Sequence, residues 1–198
     1  MMAGSVLLGV EARLGKTDAV LGALSVATLG FLARAYFAAR APGIAPVLET
    51  RHLILLWLVV GVAILIKGPI TPLIALLALS VLAIRDRTLL WLGTLRPGLG
   101  ALIIALVVLP WLVLILMKTG GSFLSDSVGK DMLAKVGGAQ EKHGAPPGAY
   151  FGIYWLTFWP AAPLTILALP FAWRERKDDG VALLLGWIVP FWLILEAV

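Results

Sequence analysis

Lys67, in the turn Lys67-Gly68-Pro69 between two apolar runs, is the residue of this chain best suited to chemistry. An ammonium held near a membrane surface offers a point charge to a lipid phosphate. Gly68 accepts left-handed backbone geometry and Pro69 lacks a donor, so together they favour a fixed tight turn that a free anchor would not need. The plainer reading is a lysine snorkelling to the headgroups at a hairpin tip. A second cluster, Glu11, Arg13, Lys16 and Asp18, sets two cations among carboxylates at the start of an apolar run, where they could bind and orient an anionic donor. Glu11 and Asp18 share a face if the stretch is helical. Equally, such a cluster is a solvated, internally paired helix end, worth roughly 0–1 kcal/mol per exposed pair. The third group, Gln140, Glu141, Lys142 and His143, precedes Pro146 and Pro147. Zinc takes about four ligands, which His143 and Glu141 alone do not supply. On the residues alone, His143 reads as a polar contact to substrate or an ordinary loop histidine.

The elements that position these groups are membrane spans. The chain has 198 residues, 61% of them hydrophobic and only 14% charged, whereas a soluble domain would be near 25% charged. The expected fold is all-α and polytopic, with about six transmembrane helices at 18–36, 53–66, 70–84, 98–117, 150–173 and 181–198. The runs 53–66 and 70–84 read as one short helical hairpin, with a single kinked helix as the alternative. The formal charge of +5 reflects basic loops beside anionic headgroups rather than nucleic-acid binding. With no cysteine, disulfides, thiolate metal sites and a cysteine nucleophile are excluded.

The polar clusters divide between two sides. A charged side chain near the bilayer centre costs roughly 2.5–3.5 kcal/mol or more, so these charges belong at helix ends. The three candidate clusters fall on one side. On the other lie nine cations in short connections, Arg34, Arg40, Arg51, Arg85, Arg87, Arg96, Arg174, Arg176 and Lys177; the first side carries seven, several of them in the long loop 118–149. The positive-inside rule assigns the nine to the cytoplasm and the clusters to the periplasmic face. Within the loop, the apolar spacing over 122–136 predicts a surface helix ended by Gly137-Gly138. The eight tryptophans fall mostly at predicted span ends, as interfacial anchors. The first ten residues form too short an apolar lead to span, and the last span stops without a polar tail. Both ends read as cuts through a longer protein.

The ordered set Glu11-Ala12-Arg13-Leu14-Gly15-Lys16-Thr17-Asp18, Lys67-Gly68-Pro69, Leu109-Pro110-Trp111, His143 with its following prolines, and Phe158-Trp159-Pro160 resembles the bacterial membrane glycosyltransferases related to aminoarabinose lipid A transferase and protein O-mannosyltransferases. The resemblance covers nearly all of this chain but only the middle of such a protein. It implies a partial C-type glycosyltransferase membrane domain in a bacterial inner membrane. The implied reaction moves a sugar from a polyprenyl-phosphate carrier to a lipid A, glycan or protein acceptor on the periplasmic face. The family's catalytic aspartate belongs to an amino-terminal periplasmic loop with no counterpart here, which implies that this chain alone is inactive. Lys67 matches the family lysine that contacts the carrier phosphate. Lys16, Arg13, Gln140 and Glu141 are expected to bind substrate, and Asp18 and Glu11 to support catalysis. No cofactor is certain, although the resemblance allows a divalent metal (zinc) at His143 in the complete protein. The rival classes are a transporter or channel fragment and a non-catalytic membrane subunit.

Overall fold

The computed structural model describes residues 17–40, 49–119 and 148–197. Seven α-helices and one short 3-10 helix make up these residues: α1 (Thr17–Ala38), α2 (Thr50–Lys67), α3 (Ile70–Asp86), the 3-10 helix (Leu90–Leu95), α4 (Pro97–Thr119), α5 (Ala149–Thr157), α6 (Ala162–Arg174) and α7 (Asp179–Ala197). The expected surface helix at 122–136 lies outside the described residues. Four helices, α1, α2, α4 and α7, are long and apolar enough to cross a membrane, and α5 with α6 makes a fifth if that bent pair counts as one span. The 17 residues of α3 reach about 26 Å at 1.5 Å per residue, slightly less than a typical hydrocarbon core.

Local sequence explains where the helices stop. The chain leaves α2 through Gly68, which has φ 66° and donates its N–H to the Ile64 carbonyl at 2.9 Å. Pro69 then opens α3 at a position where a helix has an N–H to spare, and its carbonyl accepts from Leu73 N–H at 2.8 Å. α3 ends at Arg87 and the 3-10 helix at Arg96, both with positive φ (54° and 48°), a conformation uncommon outside glycine. Pro97 starts α4 at its first position.

Side-chain contacts fix the directions of the helices. α1 runs antiparallel to α2, because Asp18 meets Lys67 at one end while the Phe31 and His52 rings lie 6.3 Å apart toward the other. α1 runs parallel to α3: Ser25 Oγ and Thr71 Oγ1 share a buried 2.8 Å hydrogen bond, and Tyr36 reaches Asp86. Consequently α2 and α3 are antiparallel and the chain doubles back at Gly68-Pro69 as a hairpin. α7 is antiparallel to α3, with Asp179 beside Arg85 and Gly186 against Val81. The ends of α1, α2, α3 and α7 thus fall at two levels. Asp18, Lys67, Gly148 and Glu196 mark the first; Arg40, His52, Asp86 and Asp179 mark the second.

One core joins α1, α2, α3 and α7. Leu29, Leu32 and Tyr36 of α1 pack with Leu56 and Val60, with Ile74, Ala78 and Leu82, and with Ala182 and Leu183. α4 attaches through small residues. Gly100 lies under the Trp57 indole, Gly61 receives Val107, and Trp57 Nε1 donates to the Leu95 carbonyl at 2.9 Å. Trp57 therefore braces α2 against α4, and Trp91 is a core residue only 6% exposed. Neither is an interfacial anchor. The remaining faces are apolar outward: Leu106, Leu114 and Met117 of α4 and Leu167, Leu169 and Trp173 of α6 are all exposed. A helix apolar all round is suited to hydrocarbon rather than water.

The stretch 150–173, expected to be one span, consists of α5 and α6 bent by 116° about the intervening turn. Pro160 and Pro163 account for the break, since neither can donate to a continuing helix and each restricts the residue before it.

Candidate functional site

Asp18 occupies the first turn of α1 and Lys67 the last turn of α2. Each charge sits where its helix dipole favours it. The antiparallel packing brings these two ends together, so that Lys67 Nζ donates to Asp18 Oδ1. The side chains stay 44% and 53% exposed respectively, which leaves the pair accessible and its contribution to stability small. Behind Lys67 the chain turns tightly through Gly68 and Pro69. A phosphate arriving at this level would meet a cation already partnered by a carboxylate and would have to compete for it.

Of the other residues expected at the site, Glu11, Arg13, Lys16, Gln140, Glu141 and His143 lie outside the described residues. Among the described residues no three histidine or acidic side chains converge in a way that could hold a metal ion.

A contact that sequence reasoning missed lies at the same level. Glu196, near the end of α7, accepts hydrogen bonds from Gly148 N–H at 2.8 Å and Phe151 N–H at 2.7 Å. A carboxylate from one helix thereby caps another, satisfying two of the donors that a helix start leaves open. Gly148 has φ 94°, a backbone that favours glycine. Gly148 and the first turn of α5 are therefore pinned to α7. A lone glutamate in the apolar run 192–198 was the available signal.

The opposite end carries a second polar cluster that the sequence reading did not assemble. Arg40 Nε lies 3.0 Å from Asp179 Oδ2, and Arg40 also meets Asp86. Arg85 Nη1 lies 2.9 Å from Asp179 Oδ1 and donates to the Tyr36 hydroxyl at 3.0 Å, while the Arg40 guanidinium stacks 3.8 Å from the Tyr36 ring centre. Two cations and two carboxylates from three helix ends are thus balanced around one tyrosine. Each carboxylate stands near an arginine in the cytoplasm-assigned loops, but adjacency in sequence does not say which pairs will form.

The chain matches no protein-family model, no curated protein and no solved structure.

Proposed function

We propose that this chain is the carrier-binding part of a polyprenyl-phosphate-dependent membrane glycosyltransferase, with six membrane crossings in a C-type arrangement and its site at the periplasmic face of a bacterial inner membrane. The observation that supports this reading most is the meeting of Asp18 and Lys67 at the hairpin tip. Two residues from separate parts of the ordered set that carries the resemblance, far apart in sequence, form one exposed charged contact at a helix-end level. Lys67 would take the carrier phosphate, and Asp18 would hold the ammonium in place until that phosphate arrives. The donor's sugar and its acceptor, whether lipid A, glycan or protein, would lie on the watery side of this tip.

The test is direct binding of a polyprenyl phosphate to the full chain in lipid nanodiscs. Lys67→Gln should weaken binding about ten- to hundredfold, the range expected for one charge-assisted hydrogen bond of about 1.5–3 kcal/mol. Asp18→Asn should leave binding equal or tighter, because the ammonium loses its competitor. Unchanged affinity in Lys67→Gln would remove the basis of the proposal.

The bent α5–α6 pair favours the second reading, a transporter, because broken helices line many transport sites. Cysteines introduced at 18 and 67 separate the two. The transferase reading requires both to label from one side at all times, and a transport site would change its labelling with substrate.

A further inference from the structure

Among the residues of α6 only Ala162 is buried, so most of this helix stands away from the bundle. Between it and helices α3 and α7 runs a groove of about 480 Å³, walled by Val81, Leu169, Ala172, Leu185 and Val189. That volume lies within the roughly 300–1,000 Å³ usual for small-ligand sites. The wall extends along α7 from Ala182 to Pro190, roughly 12 Å at 1.5 Å per residue. It is apolar except at one end, where Arg85 and Arg176 enter it. Arg85 donates to the Lys177 carbonyl and pairs with Asp179. The mouth of the groove therefore lies at the level of the second charged cluster, at the end of the bundle opposite Asp18 and Lys67.

This mouth holds a cation without a counterion among the described residues. Arg176 Nη1 donates to the Trp173 carbonyl at 2.7 Å, and the guanidinium lies 4.8 Å from the Trp173 ring centre. Stacking on the indole holds the charged head beside the groove and leaves its other N–H groups without a described partner. The neighbouring carboxylates are committed elsewhere. Glu175 lies 3.8 Å from Arg174 Nε, Asp178 accepts from the N–H groups of Gly180 and Val181, and Asp179 is shared by Arg85 and Arg40.

We propose that this groove seats an anionic phospholipid, with an acyl chain between α6 and α7 and its phosphate on Arg176. A slot apolar along its length and cationic at one end is complementary to an amphiphile with an anionic head. Basic pockets between membrane helices are known docking places for such headgroups, and a guanidinium fork can meet a phosphate through two N–H groups. A zwitterionic head would bring an ammonium to a mouth holding Arg85 and Arg176, where each nearby carboxylate already has a partner. A second copy of the chain docked here would have to supply a carboxylate to Arg176. At this level Glu49 and Asp86 are also paired within their own chain, with Arg51 and Arg40. Leu169 and Trp173 are exposed beside the groove, which leaves it open to hydrocarbon. The site does not depend on the carrier-binding reading of the other end.

The experiment reconstitutes the full chain in bilayers of equal parts phosphatidylglycerol and phosphatidylethanolamine, extracts it in mild detergent, and counts retained lipids by native mass spectrometry. Phosphatidylglycerol should be retained about tenfold over phosphatidylethanolamine, the scale of one charge-assisted contact. Arg176→Gln should bring the two lipids near parity. Arg174→Gln removes the same charge from a side chain that is 86% exposed and outside the groove, and should leave the preference unchanged. Ala172→Phe, which fills the groove without touching a charge, should lower phosphatidylglycerol retention severalfold. Circular dichroism should show unchanged helicity in all three, and if Ala172→Phe does not fold, the two arginine variants carry the test. Equal retention by the wild type, no retained lipid, indifference to Arg176→Gln, or an equal loss in both arginine variants would overturn the proposal. Indifference to a folded Ala172→Phe, or displacement of the lipid by soluble glycerol phosphate, would overturn the seating of an acyl chain.

Discussion

The Lys67 ammonium rests on the Asp18 carboxylate where the start of α1 meets the tip of the α2–α3 hairpin. Both side chains remain about half exposed, so solvent screens the pair and its coupling is expected at about 1 kcal/mol or less. A double-mutant cycle of Asp18→Asn and Lys67→Gln, read by chemical unfolding in detergent, should give that small value and lose part of it in 1 M salt. A coupling several times larger would mean that the contact is structural, and any loss of carrier binding in Lys67→Gln would then need to be separated from misfolding.

Gly100 is expected to be the most sensitive glycine in the described bundle. A Cβ there would fall 2.2 Å from the Trp57 ring, and the ring is itself held by its hydrogen bond to Leu95. Neither wall can yield cheaply. Gly100→Ala should therefore destabilise the protein by about 1–3 kcal/mol, and adding Trp57→Leu should recover part of that loss. Thermal unfolding of the three variants checks it, and a neutral Gly100→Ala would show that α4 is not seated on α2 in this way.

Glu196 should act at a distance along the chain from where it sits. Its carboxylate caps α5 through Gly148 and Phe151, so Glu196→Ala removes two acceptors at once. The expected cost is about 1 kcal/mol, typical of a lost helix cap. The sharper readout is local: hydrogen exchange at the amides of Gly148 and Phe151 should accelerate while α1, α2 and α3 stay protected. Glu196→Gln, which keeps a carbonyl acceptor, should show a weaker effect.

Composition and patterning alone determined the class of this chain, because few charges and long apolar runs suit side chains to a bilayer, where the backbone must satisfy its own hydrogen bonds as helix. They also marked the turn at Gly68-Pro69, since the special backbone needs of those two residue types act locally. The break of the 150–173 stretch was not legible, although its prolines were, because a proline in an apolar run can kink, end or merely bend a helix depending on its neighbours.

Individual partners were decided only by the tertiary structure. The sequence offered Asp18 and Lys67 as separate candidates, and antiparallel packing made them a pair. It gave no sign that Glu196 would cap a helix starting at Ala149, or that Arg40 and Arg85 would share Asp179. The physical reason is the same each time. Hydrophobicity and turn chemistry are properties of a short stretch of chain, whereas an ion pair or a cap between distant residues exists only once the helices have chosen their neighbours and directions.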